Sequence, residues 1–216
     1  PDMTRPARTL PQTEGGWFLT DGGIETTLIF QDGIELPEFA AFVLLDSAAG
    51  RDTLRRYYQR YLDIAAAAPG AGFVLESPTW RAGFDWGRRL GYDDAAMRRF
   101  NAAGVALMHE LRETYAGKLT GALVVSGCIG PRGDGYQPGA PMSGADAQRA
   151  HAPQARVLAD AGVDLISAIT MTTSGEAIGV ARAAAECGRH CVISFTVETD
   201  GRLPSGETLG EAIEAT

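Results

Sequence analysis

Residues 163–197 read VDLISAITMTTSGEAIGVARAAAECGRHCVISFTV. An apolar run of strand length (163–170) passes through the small polar turn 170–174 into a helical stretch (175–187). A second apolar run (190–197) then follows after a short, bland connection. Strand, helix and strand in that order imply two parallel strands bridged by a crossover helix.

The same unit repeats toward the N-terminus. Apolar segments of strand length occupy residues 17–20, 72–75 and 119–126 as well, and helical patterns cover 53–68, 93–115 and 145–161, with 207–215 opening another. In the stretch 93–115, Ala96, Phe100, Ala103, Leu107 and Leu111 recur at steps of three and four, the period of one buried helix face, opposite a polar one. Alternating strands and amphipathic helices predict an α/β fold: a parallel sheet covered by helices, either open and doubly wound or closed as a (β/α)8 TIM-type barrel.

The loops separate these two. Nearly all the unusual chemistry follows strands: Asp21-Gly22-Gly23-Ile24-Glu25, Glu76-Ser77-Pro78-Thr79-Trp80, and the segments 127–139, 170–174 and 198–206. Chemistry at the carboxyl ends of several strands is the habit of the barrel, whereas an open sheet concentrates it at one switch point. Only about five βα units can be counted where a barrel has eight in about 250 residues. The expectation is therefore one barrel domain over 1–216 that is incomplete on its C-terminal side, with further strands supplied by residues after Thr216 or by a partner.

Composition narrows the function. The chain of 216 residues carries 19 Lys+Arg against 27 Asp+Glu, a net charge of −8, and its basic residues cluster no further than the pairs Arg55-Arg56, Arg88-Arg89 and Arg98-Arg99. That balance lacks the basic footprint of a nucleic-acid partner. No apolar run approaches the roughly 20 residues of a membrane span. The N-terminus, with Arg5, Pro6 and Arg8, has no apolar leader core, so a cytoplasmic protein is expected. Three cysteines argue against a disulfide framework. Glycine is enriched, with 27 residues, and gathers just after the strands, where backbone turns and approaches ligands.

Familiar catalytic signatures are absent: there is no Ser/His/Asp constellation, phosphate-binding P-loop or dinucleotide fingerprint. His109 lies within a helical stretch, His151 near a helix start and His190 at the foot of a strand, and none is placed for catalysis.

The loop motifs, taken in order, carry a resemblance. Asp21-Gly22-Gly23 with Thr26-Thr27-Leu28, Pro78-Thr79-Trp80-Arg81-Ala82, Gly127-Cys128-Ile129-Gly130-Pro131 with Gly133-Asp134, Glu176-Ala177 and Ser194-Phe195-Thr196 together resemble the homocysteine S-methyltransferase family over about residues 19–215. The resemblance implies a zinc-dependent βα barrel of methionine biosynthesis, similar to betaine-homocysteine methyltransferase; a homo-oligomer is among the expected partners. Its partners would be small molecules, a thiol amino acid and a methyl donor. Zinc would hold the thiol as thiolate, which attacks the donor's methyl group, since a free thiol with pKa near 8.5 is mostly protonated at neutral pH. The three zinc cysteines of such proteins would fall after Thr216. Cys187 and Cys191 read as packing residues, and no metal ligand is assigned within the chain.

The substrate-binding candidates are Asp21, Gly22, Gly23, Glu25, Thr79, Trp80 and Cys128, with no catalytic residue assigned. Asp21 reads either as a substrate contact or as an Asx-turn. Trp80 reads as an apolar wall for the substrate chain or donor, or as a packing aromatic. Cys128 is a mouth thiol or a small residue in a tight loop. Ile169 stands where the resemblance leads one to expect a glutamate that holds the substrate ammonium, while Glu25 adds a carboxylate at the first strand end. Either Glu25 takes over that contact, or the substrate differs, or Glu25 is a solvated loop residue. Asp134 reads as a loop organiser, and Asp200 with Gly201 as a turn at the rim.

Two other functions fit the same sequence. One is a carboxylate-lined barrel lyase using Asp21, Glu25 and Glu76 on an oxygen-bound metal; the other is a non-catalytic relative that keeps the pocket without zinc ligands.

Overall fold

The computed structural model describes residues 9–135 and 142–216. Arg5, Pro6 and Arg8, on which the absence of a leader was read, and the end of the 127–139 loop with Tyr136 lie outside the described residues.

Five strands, β1 (Phe18–Thr20), β2 (Gly72–Glu76), β3 (Leu123–Ile129), β4 (Leu165–Met171) and β5 (His190–Phe195), form one sheet in the order β1-β2-β3-β4-β5. Every neighbouring pair is parallel, with Phe73 opposite Leu123, Ser126 opposite Leu165 and Leu165 opposite His190. Consecutive order with all-parallel pairing is the topology of a βα barrel, and five of eight strands make an incomplete, curled TIM-type barrel. Among the described residues β1 and β5 pair on one side only, and the β5 residue Val192 is 44% exposed.

A short helical segment follows β1, α1 (Ile24–Thr26) running on through Gln31. Then come α2 (Ala48–Ala66), α3 (Phe84–Arg89), α4 (Asp94–Tyr115), α5 (Gly144–Asp160), α6 (Ser174–Glu186) and α7 (Leu209–Ala215). Their starts are set by caps. Ser47 accepts from Gly50 N at 3.0 Å, Asp93 from Ala96 N at 2.7 Å, and Thr208 forms a capping box with Glu211. In α2, Leu54, Tyr57, Tyr58, Leu62 and Ala65 are buried, the stripe expected of a helix laid on a sheet. The main core, including Phe42, Phe73, Leu75, Met97, Leu107 and Met108, fills the space between this helical layer and the strands. α5 and α6 pack so closely that a Cβ on Gly179 would lie 2.2 Å from Ala147 Cβ.

Two sequence expectations shift. β3 runs to Ile129, so Cys128 belongs to the strand rather than to the loop after it. His151 sits well inside α5 rather than near its start.

Candidate functional site

The carboxyl ends of the strands enclose a cavity of about 420 Å³ lined by residues that follow β1, β2, β3 and β4. Six of the seven sequence-derived candidates line it: Asp21, Gly22, Gly23, Glu25, Trp80 and Cys128. Thr79 does not. It is fully buried behind the wall, donating its hydroxyl to Cys128 O at 2.7 Å and meeting Ser77 Oγ at 2.7 Å, while its carbonyl accepts from Gln154 Nε2 at 2.9 Å. Thr79 latches the β2 turn to β3 and α5.

Asp21 leaves the end of β1 and meets Tyr57 of α2, whose hydroxyl stands 2.7 Å from Asp21 Oδ2. Burial pushes the Asp21 carboxyl up to about 7; the Tyr57 hydrogen bond opposes the rise and the neighbouring Glu76 adds to it. Gly22 lies against α2, since a Cβ there would come within 2.7 Å of Tyr61 Oη. Four residues after Asp21, Glu25 in the first turn of α1 turns back into the same cavity. Its carboxyl is also raised to about 7, by burial, with a hydrogen bond from its own backbone and the Arg81 charge opposing the rise. Glu25 Oε1 is closed from solvent without a hydrogen-bond partner among the described residues.

Glu76 ends β2 and lines the cavity as a third carboxyl. A hydroxyl chain serves it: Ser126 donates to Ser167 at 3.0 Å, and Ser167 donates to Glu76 Oε2 at 2.5 Å. Burial raises the Glu76 pKa while these serines restrain it. Cys128 stands on the neighbouring strand, its thiol held well above the usual range first by burial and then by Glu76, Glu25 and Asp21. That thiol stays protonated and is a poor nucleophile.

Trp80 forms one wall. Its indole N–H is shared between Thr170 Oγ1 at 3.1 Å and Ile169 O at 3.2 Å, which ties the β2 turn to the end of β4. The Thr170 backbone is left-handed, with φ 61°, a costly conformation for a β-branched residue, at the register irregularity between Ala168 and Met171. This bend carries Ile169 into the cavity lining. Arg81, beside Trp80, lines the cavity as well, together with Tyr58, Pro78 and Asp134.

Several of these residues escaped the sequence reading. Tyr57 and Tyr58 looked like ordinary positions of an amphipathic helix, and Arg81 like part of a motif. His151 Nε2 lies 2.8 Å from Glu176 Oε1, both buried, and the same oxygen accepts from Arg132 N at 2.7 Å. This grip fastens the loop after β3, with Gly133 and Asp134, to α5 and α6. Asp200 accepts from Arg202 N at 3.0 Å around Gly201, whose φ is 78°, and so forms a turn.

The metal-binding potential of these residues is low. Cys187 caps the end of α6 and Cys191 is the second residue of β5, opposite Ile166 and at the far end of that strand from the cavity, whereas Cys128 lies near the mouth end of β3. Among the described residues no group of three or more His, Cys, Asp or Glu is placed to hold an ion. The three cavity carboxylates share a space but do not form such a group. No described helix is long and apolar enough to cross a membrane.

Comparison with known proteins agrees with this architecture. In solved structures, the chain is similar to the homocysteine methyltransferase MmuM from Escherichia coli. Its oxidized form matches with a TM-score of 0.78 at 24% identity, over 94% of this chain and 70% of that one. The metallated form gives 0.72 at 23%, over 92% and 69%, and the apo form 0.67 at 23%, over 98% and 71%. At these identities the likeness establishes the fold. Comparison with curated protein sequences gives no match. Residues 18–216 match the family described as Homocysteine S-methyltransferase, which takes in all five strands and every residue lining the cavity. The chain belongs to the homocysteine S-methyltransferase family.

Proposed function

We propose that the cavity at the strand ends binds homocysteine or a related thiol amino acid and presents its sulfur to a methylated donor: the S–CH3 bond forms as the donor–CH3 bond breaks, the thiol loses its proton, and the methyl thioether and demethylated donor leave. The observation that carries this reading is the pair Asp21 and Glu25, two carboxylates from one strand end that line a cavity of about 420 Å³ walled by Trp80 and Ile169. That volume lies within the usual range for small-molecule sites, about 300–1,000 Å³.

In this reading Asp21 and Glu25 hold the substrate ammonium, which compensates the cost of keeping carboxylates in a poorly hydrated wall. The Gly22 and Gly23 backbone borders the substrate at the end of β1, Gly22 being kept without a side chain by Tyr61 of α2 behind it. Trp80, pinned by Thr170 and Ile169, covers the apolar part of the ligands and excludes water from the displacement. Cys128 borders the cavity as a neutral thiol and Thr79 acts from behind the wall, as a support rather than a contact.

Zinc does not fit the donor set of the described residues, because the three cysteines are dispersed and none joins a ligand group. A zinc-held thiolate therefore enters the proposal only with ligands from outside these residues, and no step above runs through it. The carboxylate-bound metal lyase has less support, since Asp21, Glu25 and Glu76 do not form a group placed to hold an ion.

The test is methyl transfer by the full chain from several methylated donors to homocysteine, followed by mass spectrometry of the thioether, together with calorimetric binding of homocysteine alone. Binding with methionine formation supports the reading. Failure to bind homocysteine, or binding with transfer from none of the donors, would overturn it.

A further inference from the structure

We propose that Arg81 is the carboxylate subsite of this cavity, so that a zwitterionic ligand bridges the guanidinium of Arg81 and the carboxylate of Glu25. The inference rests on the amino-acid reading above and adds the residue that recognises the second charge.

Arg81 is only 4% exposed, yet it lines the cavity. Its guanidinium carbon lies 4.3 Å from the centre of the Trp80 ring and 4.0 Å from that of Trp86, packed against two indoles. Packing on aromatic faces favours polar partners in the guanidinium plane, where the N–H fork matches a carboxylate. The present partners leave this fork underused. Nη1 donates to Gly133 O at 3.0 Å, and Nη2 makes an ion pair with Asp134 Oδ2 at 3.6 Å, too long for a hydrogen bond and with Asp134 at the cavity edge. Nε is buried without a partner among the described residues.

Glu25 repeats the pattern with opposite sign, its Oε1 buried and unpartnered in the lining of the same cavity. The two charges feel each other, since each stabilises the charged form of the other, but they form no ion pair. A buried charge with an unused hydrogen-bonding atom is costly to keep. A zwitterion relieves both costs at once, with its ammonium on the Glu25 side and its carboxylate on the Arg81 side. The carboxylate can belong to the thiol substrate or to a carboxylate-bearing methyl donor; the recognition chemistry is the same.

The experiment measures binding to the full chain by calorimetry, in wild type, Arg81→Gln and Arg81→Lys, with three thiols. Homocysteine carries both charges, 3-aminopropanethiol lacks the carboxylate, and 4-mercaptobutanoate lacks the ammonium. Wild type is expected to prefer homocysteine over 3-aminopropanethiol by about 10- to 100-fold, the scale of a charged hydrogen bond. Arg81→Gln should lose that preference and weaken 4-mercaptobutanoate by a similar factor, while leaving 3-aminopropanethiol unchanged. Arg81→Lys, which keeps the charge without the planar fork, should retain part of it and serves if the glutamine variant fails to fold.

A second arm compares the KM for trimethylglycine with that for choline. If the thiol preference survives in Arg81→Gln and only the trimethylglycine KM rises, the subsite serves the donor carboxylate. If neither the thiol preference nor the donor ratio changes, Arg81 is a structural wedge between the indoles and the inference fails. Absence of homocysteine binding in wild type would instead overturn the parent reading.

Discussion

Tyr57 Oη stands 2.7 Å from Asp21 Oδ2 and 2.8 Å from the carbonyl oxygen of Gly22. A phenol has one hydrogen to donate, and both neighbours are acceptors when Asp21 is ionised. A protonated Asp21 resolves the conflict: its O–H donates to Tyr57, and Tyr57 donates to Gly22. The geometry thus agrees with a carboxyl raised by burial to about 7.

This carboxyl should weaken the fold as pH rises. Its pKa is higher in the folded state than the ordinary 3.8, so the folded chain holds the proton more tightly. The penalty is absent below about pH 4, grows between pH 4 and 7, and is complete above pH 7. Asparagine can make the same two-bond arrangement without a charge. Asp21→Asn should therefore be more stable than wild type at pH 8, by about 2–4 kcal/mol, with the gain vanishing near pH 4. Urea unfolding at the two pH values checks this, and a gain independent of pH would contradict a buried charge at Asp21.

Ligand binding should follow the opposite trend. An ammonium is best held by ionised carboxylates, and Asp21 and Glu25 both titrate near 7. Homocysteine should bind more tightly at pH 8 than at pH 6, with proton release from the cavity. Calorimetry in two buffers of different ionisation heats reads that release directly. Equal affinity at both pH values, with no buffer dependence, would place the ammonium elsewhere.

The fold was legible because its signals are periodic. Apolar runs and helical stripes located all five strands and the long helices, whose buried faces depend on spacing alone. Boundaries were less legible: α2 starts at Ala48, not at 53, because Ser47 caps it, a signal available in the sequence but passed over. The segment Ile24–Gln31 and the short helix Phe84–Arg89 were missed, since neither is long enough to show a period. In the site, residues next to glycines at strand ends were found. Tyr57 and Arg81 were not, because their roles arise from packing between elements far apart in the chain, Tyr57 with Asp21 and Arg81 with Gly133 and Trp86.

Gly130 tests how firmly the wall is held. Its N–H donates to Trp80 O at 3.0 Å, and a Cβ at this position would lie 2.5 Å from that same oxygen and 2.7 Å from the indole. Backbone cannot step aside as a flexible side chain can. Gly130→Ala should destabilise the protein by about 1–3 kcal/mol, the usual cost of overpacking, and change Trp80 fluorescence. An alanine variant with wild-type stability and emission would mean that β3 and the β2 turn are not locked together here.

Glu25 is the sharpest test of the ammonium site. Its carboxyl turns into the cavity four residues after Asp21, and Ile169, in the same lining, offers no charge. An ammonium left unpaired in such a space would be costly, so one of the cavity carboxylates must meet it. Glu76 is engaged with Ser167 and Asp21 with Tyr57, whereas Glu25 Oε1 has no hydrogen-bond partner among the described residues. Glu25→Gln keeps the size of the side chain and removes its charge. The variant should weaken homocysteine binding by about 1.5–3 kcal/mol, as expected for a lost charged hydrogen bond. It should leave 4-mercaptobutanoate, which has no ammonium, unaffected. Its unfolding at pH 8 should require more denaturant than wild type, because the buried charge is gone. Unchanged homocysteine affinity in a variant that shows this added stability would separate the two effects: Glu25 would be a buried carboxyl of the wall, and the ammonium would belong to Asp21 or Glu76.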